Sequence, residues 1–315
     1  MLFIIRSFIL RKQVIIIAIS LIVLFSIAGM VSAAAKGGKK GAAMLTKIAL
    51  VNVDGEIADI THVMELLNQY NDMPAVKAIV IRVNSPGGGV AASQEVYSLI
   101  KRIREDGKKV VVSMADMAAS GGYYISAAAD KIYANPGTIT GSIGVIINFM
   151  NAEKLLEKVG LDFTTIKSGK YKDTGSFSRP VSADDKLLMG AMIQDVLNQF
   201  VDDVVSARSE KLAAAFGIRE KNEKKRDVLV KKYMLANVAD GRIFTGRKAK
   251  ELGLVDEVGN IDDAIMGAAE MVGLSGRPMV ISERKKRGLE AWLDSKIADL
   301  KPQGGSSVVM QYILK

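Results

Sequence analysis

The chain has 315 residues, 49% of them hydrophobic and 24% charged, with a formal net charge of +9. The absence of cysteine excludes disulfides, thiolate catalysis and cysteine-ligated zinc, and a single histidine, His62, argues against histidine metal centres. The basic excess sits in short runs (Glu223–Arg226, Lys231–Lys232, Arg284–Arg287) without interleaved aromatic residues, which reads as solvated or lipid-facing charge and not as a nucleic-acid surface.

Residues 1–12 read as a cytoplasmic amino end, and residues 13–35 as a transmembrane signal-anchor. Val14 to Ala35 carries no charge and is long enough to cross a bilayer core of about 30 Å. Arg6, Arg11 and Lys12 precede it, as the positive-inside rule requires. Cleavage after Ala33 or Ala35 is the alternative, but the apolar run exceeds a usual signal core of about 7–15 residues, which favours an uncleaved anchor. Residues 36–46 form a Gly/Lys/Ala linker.

From 47 to 275 the pattern alternates strand and helix. Ile48–Val53 reads as a strand closed by Asp54-Gly55, and Thr61 as the cap of a helix bearing Val63, Leu66, Leu67 and Tyr70 on one face. Lys77–Val83 is a second strand running into Asn84-Ser-Pro-Gly-Gly-Gly89. Ala91–Arg104 is a helix stopped by Gly107, Lys109–Met114 a third strand, Tyr123–Ala129 a helix and Lys131–Ala134 a strand. Ser182, with Asp184 and Asp185 behind it, opens a long helix to about Ser209. Ala213–Lys232 is a charged excursion, helical or looped; Lys248–Leu252 and Asp262–Val272 are further helices. Residues 276–315 hold a basic amphipathic helix, Ser282–Leu300, a Gly/Ser linker at 303–307 and an apolar end, Val308–Leu314. Strands separated by helices of this length imply crossovers and a largely parallel sheet, and repeated β-β-α-like units fit a superhelical stack.

Three segments could carry chemistry. Ser120 stands between two alanines and two glycines just after a strand, where small neighbours let a carbonyl approach a hydroxyl; a capping serine in a glycine-rich turn is the plain alternative. The contiguous glycines Gly87–Gly89 match neither a Walker loop nor a dinucleotide fingerprint, and can turn backbone amides toward a developing oxyanion. Gly88 with Gly121 would make that pair. The third is Lys167-Ser-Gly-Lys170-Tyr-Lys172-Asp173, either a solvated loop or the source of a base. A lysine acts as a base only when neutral, which burial favours and a nearby carboxylate opposes, so Asp173 must point away or be engaged elsewhere. His62 falls on a helix upstream of both glycine turns, and its place there argues against a Ser-His-Asp triad.

Taken together these motifs resemble the Clp-protease/crotonase superfamily, through N-S-P-G-G after a strand and A-A-S-G-G-Y-Y some 30 residues on. Gly137–Val145 (GTITGSIGV), Lys167–Asp173 (KSGKYKD) and Asp240–Asp256 (DGRIFTGRKAKELGLVD) narrow the resemblance to the signal peptide peptidase A family in its short, single-copy form, over roughly Ile48 to Val272. The resemblance implies an α/β fold of the Clp/crotonase type, a superhelix of repeated β-β-α units preceded by one N-terminal transmembrane helix. It implies a serine endopeptidase with a Ser-Lys dyad, needing neither cofactor nor metal. Ser120 falls on the nucleophile, Lys172 on the general base, Ser142 on the serine that orients the base, and Gly88 and Gly121 on the oxyanion amides. It further implies ring-shaped homo-oligomers such as octamers, with each site shared between neighbours. The peptidase domain would lie on the extracytoplasmic side of the cytoplasmic membrane, acting on hydrophobic peptides such as cleaved signal peptides. The alternatives are a related membrane-bound protease cleaving one membrane partner protein, a crotonase-fold acyl-CoA binder, and a catalytically silent scaffold.

Overall fold

The computed structural model describes residues 46–283 and 311–313. The chain separates into a unit of Met1–Lys47 and a unit of Ile48–Lys315, and the fold below is that of the second. The expected anchor at 13–35 lies outside the described residues, as does nearly all of the expected helix Ser282–Leu300. Among the described residues no helix is long and apolar enough to cross a membrane.

The strands are β1 (Lys47–Asp54), β2 (Val76–Ser85), β3 (Gly87–Gly89), β4 (Lys109–Ala119), β5 (Lys131–Ala134), β6 (Ile139–Gly141), β7 (Ile243–Thr245), β8 (Glu257–Val258), β9 (Met279–Ser282) and β10 (Gln311–Ile313). The helices are α1 (Thr61–Asp72), α2 (Val90–Glu105), α3 (Gly121–Ala127), α4 (Glu153–Lys158), α5 (Ala183–Ala215), α6 (Glu223–Asn237), α7 (Gly246–Glu251) and α8 (Ile261–Met271). Among the described residues, eight strands form one sheet in the order β7-β6-β4-β2-β1-β9, with β5 paired to β4 and β8, while β3 and β10 form a separate pair.

The centre of the sheet explains the unbroken apolar runs. β2 and β4 are parallel neighbours from Ala78–Lys109 to Val83–Met114, and side chains alternate between two covered faces. Ile79 and Ile81 enter the larger core with Val110, Val112, Ile100 and Phe200. Ala78, Val80 and Val111 enter a smaller core with Ala264 and Ala268 of α8. That helix approaches closely because it is small-faced: a Cβ on Gly267 would lie 2.2 Å from the Tyr133 hydroxyl.

The functional loops grow from a bulge in β4. Between the pairs Val83–Met114 and Ser85–Ala118, β4 carries two residues more than β2. The Met117 amide finds the Asn84 side chain at 3.3 Å instead of a ladder partner. Such a bulge bends its strand. Before it, β4 pairs with β5 through Val111–Met114; after it, with β6 through Met117–Ala119. Buried Thr138 and Thr140 secure the second half, donating their hydroxyls to the carbonyls of Ala115 and Ala118 at 2.6 and 2.7 Å.

Several expectations are corrected. Thr61 is the first helical residue and not the cap; its amide is taken by Asp59 at 3.0 Å, and Ile60 is the cap position. Ser182 does cap α5, in a reciprocal box with Asp185, but the helix runs to Ala215, past Ser209. The charged excursion divides into the end of α5 and a separate helix, α6, capped by Asn222. Ser282 ends a strand, β9, and does not begin a helix.

One buried charge pair ties α5 to the loop before β8. Arg208 is fully buried, sends two hydrogen bonds to the Gly253 carbonyl at 3.2 and 3.0 Å, and meets Asp256 at 2.9 Å. Burial pushes the Asp256 carboxyl up, but Arg208 and Lys211 outweigh it and hold the group below its usual range. Removing one member of such a pair strands the other in a poorly hydrated place. Arg208→Ala is therefore expected to lower unfolding free energy by about 3 kcal/mol, read from denaturant titration of the full chain.

Candidate active site

Ser120 is the first residue after β4 and the cap residue of α3, with φ 54° and ψ −115°. A serine in that region is strained by about 1–3 kcal/mol and persists only where its surroundings hold it. Here the Ser120 amide donates to the Gly141 carbonyl and its carbonyl accepts from the Tyr124 amide, both at 2.8 Å. Its hydroxyl is buried and has no hydrogen-bond partner among the described residues. A buried hydroxyl left unpaired costs about 1–3 kcal/mol, so its retention asks for a use outside the fold.

Ser142 stands beside it by register. Ala119 and Gly141 are partners at the ends of parallel β4 and β6, and Ser120 and Ser142 are the residues that follow them. Ser142 also has a positive φ, 50°, and is buried. Its amide donates to the Arg242 carbonyl at 2.8 Å. The segment Asp240–Thr245 thus acts as a support for this corner: Phe244 packs where a Cβ on Gly141 would stand, 2.5 Å from its ring.

The glycine turn closes on Ser120 from the other side. A Cβ on Gly88 would lie 2.2 Å from the Ile57 carbonyl oxygen, and one on Gly121 would lie 2.6 Å from the Ser93 hydroxyl and 3.2 Å from the Gly88 nitrogen. Glycine at both positions lets the two backbones meet, which brings the Gly88 amide to the start of α3. The turn is braced by two buried serines. Ser85 accepts the Gly87 amide at 3.1 Å, and Ser93 donates to the Gly89 carbonyl at 2.9 Å. Neither was singled out as functional from sequence. Ser85 lies within the N-S-P-G-G motif, whereas nothing in the local sequence distinguishes Ser93 from an ordinary helix residue.

Lys172 is not brought to this place within one chain. It is exposed on the turn at 170–175, its amide bonded to the Gly169 carbonyl at 3.2 Å, and its ammonium has no ion pair among the described residues. Asp173, the carboxylate that would oppose a neutral lysine, is engaged elsewhere. Arg179 grips it through two bonds of 2.9 Å, and Lys167 reaches it at 2.7 Å. Arg179, followed by Lys167, holds the Asp173 carboxyl well below the usual carboxylate range. Arg179 also donates to Asp185 at 2.7 Å, tying the turn to the first residues of α5. Arg179, with Thr174 and Ser182, lowers the Asp185 carboxyl likewise. His62 is exposed and pairs with Glu283 at 2.7 Å, remote in role from the serine corner. Among the described residues no cluster of His, Cys, Asp and Glu could hold a metal ion.

The sequence matches peptidase family S49 over residues 102–218 and 220–275, more than half of the chain, and Clp protease over residues 39–138. The chain belongs to peptidase family S49. A chain of Synechocystis named as a protease is 44% identical over 230 residues, 72% of this chain and 75% of that one. A signal peptide peptidase SppA of Enterococcus faecium is 32% identical over 80% of this chain and 72% of its own. Protease 4 of Haemophilus influenzae is 32% identical over 72% of this chain but 35% of its own length. Among solved structures, a membrane-bound stomatin-specific protease with a substrate peptide aligns with 81% of this chain and 99% of its own, at 15% identity and a TM-score of 0.46. The S49 match and the relatives from Enterococcus faecium and Haemophilus influenzae make the protein an SppA-type serine peptidase.

Two outcomes follow from the geometry. Gly88→Ala forces the turn off the Ile57 carbonyl; if the Gly88 amide serves as an oxyanion donor, kcat on a peptide substrate is expected to fall by about 10²-fold, with an unchanged circular dichroism spectrum. The Arg179 cluster sets an acid limit. Carboxylates held low in the folded state stabilise it fully above about pH 4, their unfolded range, and that contribution is lost as pH falls toward the depressed values. Arg179→Met is expected to lower the hydrogen-exchange protection factors across residues 167–182 at neutral pH to values that wild type reaches only in acid.

Proposed function

We propose that this S49 peptidase is a membrane-anchored endopeptidase that hydrolyses hydrophobic peptides, such as cleaved signal peptides, with Ser120 as nucleophile and Lys172 of an adjoining copy as general base. The observation that carries the reading is the buried, unpartnered Ser120 hydroxyl beside the approaching backbones of Gly88 and Gly121. Uncharged Lys172 removes the proton as Ser120 attacks the peptide carbonyl. The Gly88 and Gly121 amides take the oxyanion, the lysine protonates the leaving amine, and water cleaves the acyl-enzyme. Ser142, at the strand end next to Ser120, orients the incoming amine.

The second copy is argued from burial. No residue from 144 to 184 is buried, although this stretch holds the turn with Lys172. Several of its apolar side chains face outward: Ile166 is 96% exposed, Met150 75% and Leu155 62%. Exposed apolar surface on this scale marks a contact site, and the S49 serine corner lacks the one group that this stretch carries. A closed ring of identical copies supplies every serine with a neighbour's lysine. The uncharged run at 13–35 anchors such a ring at the membrane, with its peptidase domains on the extracytoplasmic side, where apolar peptides are concentrated.

Mixed assemblies test this. Ser120→Ala and Lys172→Ala are each expected to abolish peptide hydrolysis, and co-expression of the two to restore about a quarter of wild-type activity, since random neighbours complete one site in four. A mixture as inactive as its parents rules out the shared dyad, and activity retained by Ser120→Ala rules out the nucleophile.

A further inference from the structure

The basic runs at 223–226 and 231–232 take no part in the serine corner. They lie on α6, and that helix sorts its residues by face. Val230 and Met234 are buried. The opposite face, by helical spacing, carries Lys224, Lys225, Val228, Leu229, Lys232 and Tyr233. Val228 is 67% exposed, Leu229 44% and Tyr233 38%. The ion pairs of the helix are made elsewhere: Lys231 reaches Asp202 at 2.7 Å, and Arg226 reaches Asp227 at 3.7 Å. Lys224, Lys225 and Lys232 have no ion pair among the described residues. No acid shares their face. Glu223 and Asp227, one turn apart, line a separate polar pocket with Ser209 and Arg226.

Beside the exposed face, a cavity of about 590 Å³ opens between α6 and the loop before it. Its apolar walls are Ile218, Leu229, Tyr233 and Ala236, and Arg219 and Lys232 add two cations to the lining. Its one carboxylate, Glu220, already accepts the Asn222 amide at 2.9 Å. Phe216 stacks on Tyr233 with ring centroids 4.2 Å apart, which holds the tyrosine in place. Exposed aliphatic side chains next to unpaired lysines, with an aromatic ring at their border, are the makings of a helix that lies in a lipid interface. An amphiphile with an anionic head and an apolar body answers both halves of this surface. Free phosphate answers only the cations. A second copy docked face to face brings the same lysines in return and is repelled.

We propose that α6 seats on the anionic phospholipid headgroups of a bilayer. Lys224, Lys225 and Lys232 meet the phosphates, Val228 and Leu229 enter the boundary with the acyl chains, and Tyr233 stands at headgroup level. The inference rests on the membrane-anchored reading above and adds to it a lipid class and an orientation. An anchored chain meets its lipid at high effective concentration, so a few lysines suffice to hold one face against the surface.

The lack of cysteine allows a single probe to be placed. Val228→Cys in the full chain, labelled with an environment-sensitive fluorophore, is reconstituted into vesicles of phosphatidylcholine alone or with about one-third phosphatidylglycerol. A blue shift of the emission is expected only with phosphatidylglycerol. It is expected to be reversed by about 0.5 M salt, which screens exposed charge, and lost when Lys224, Lys225 and Lys232 are changed together to Gln. No shift in either vesicle overturns the proposal. An equal shift in both, or a blue emission already present in detergent, also overturns it, the latter because the face is then covered by another copy. Flotation with the phosphatidylcholine vesicles tests the anchor separately. If the chain fails to float with them, the anchor reading fails by itself, and the same probe, with vesicles added from outside, still decides whether α6 meets anionic lipid.

Discussion

Strand β4 pairs with β2 along its length, with β5 through its first half and with β6 through its second. A straight strand cannot keep all three ladders, and the two surplus residues between Met114 and Ala118 absorb the conflict. The bend delivers Ser120 to a corner where three backbones converge: its own, that of β6 at Gly141–Ser142, and that of the turn after β2. Crowding then dictates composition. A Cβ on Gly122 would lie 2.9 Å from the Ser85 carbonyl, as one on Gly121 would meet the Ser93 hydroxyl, so the residues after Ser120 have no room for side chains. The small residues flanking the serine are a consequence of this convergence as much as of substrate access.

The corner also concentrates unfavourable terms. Ser120 and Ser142 both hold positive φ, and the Ser120 hydroxyl is buried without a partner. They are tolerated because the sheet beneath is thoroughly buried, with β2 and β4 covered on both faces by apolar cores. Backbone bonds from Gly141, Tyr124 and Arg242 determine the strained residues from outside. Strain of this kind is the structural counterpart of a reactive group held ready.

The central strands, the helices α1, α2 and α8, and the glycine turns were legible from the sequence because burial on both faces leaves continuous apolar runs and turns leave glycine. Ser120 stood out as a candidate because small residues flank it on both sides, which the crowding at Gly121 and Gly122 also demands. The short strands β6, β7 and β8 were not, since two or three paired residues have no periodicity of their own. Thr138, Thr140 and Phe244 could be quoted as parts of motifs, but their work, hydroxyls closing carbonyls and a ring filling the space beside Gly141, depends on neighbours distant in sequence. Asp173 was legible as a difficulty for a neutral lysine; that Arg179 resolves it was not, because the pair is made by a turn whose shape the residues do not announce.

The stretch from 144 to 184 carries a lysine-bearing turn and has no fully buried residue. If its base reaches a serine only in a neighbour, a newly made chain is a latent enzyme. Hydrolytic power then rises with the concentration of copies and falls on dilution, so a solitary chain poses no hazard to the polypeptides around it. Latency would come from geometry alone, without a propeptide or an inhibitor.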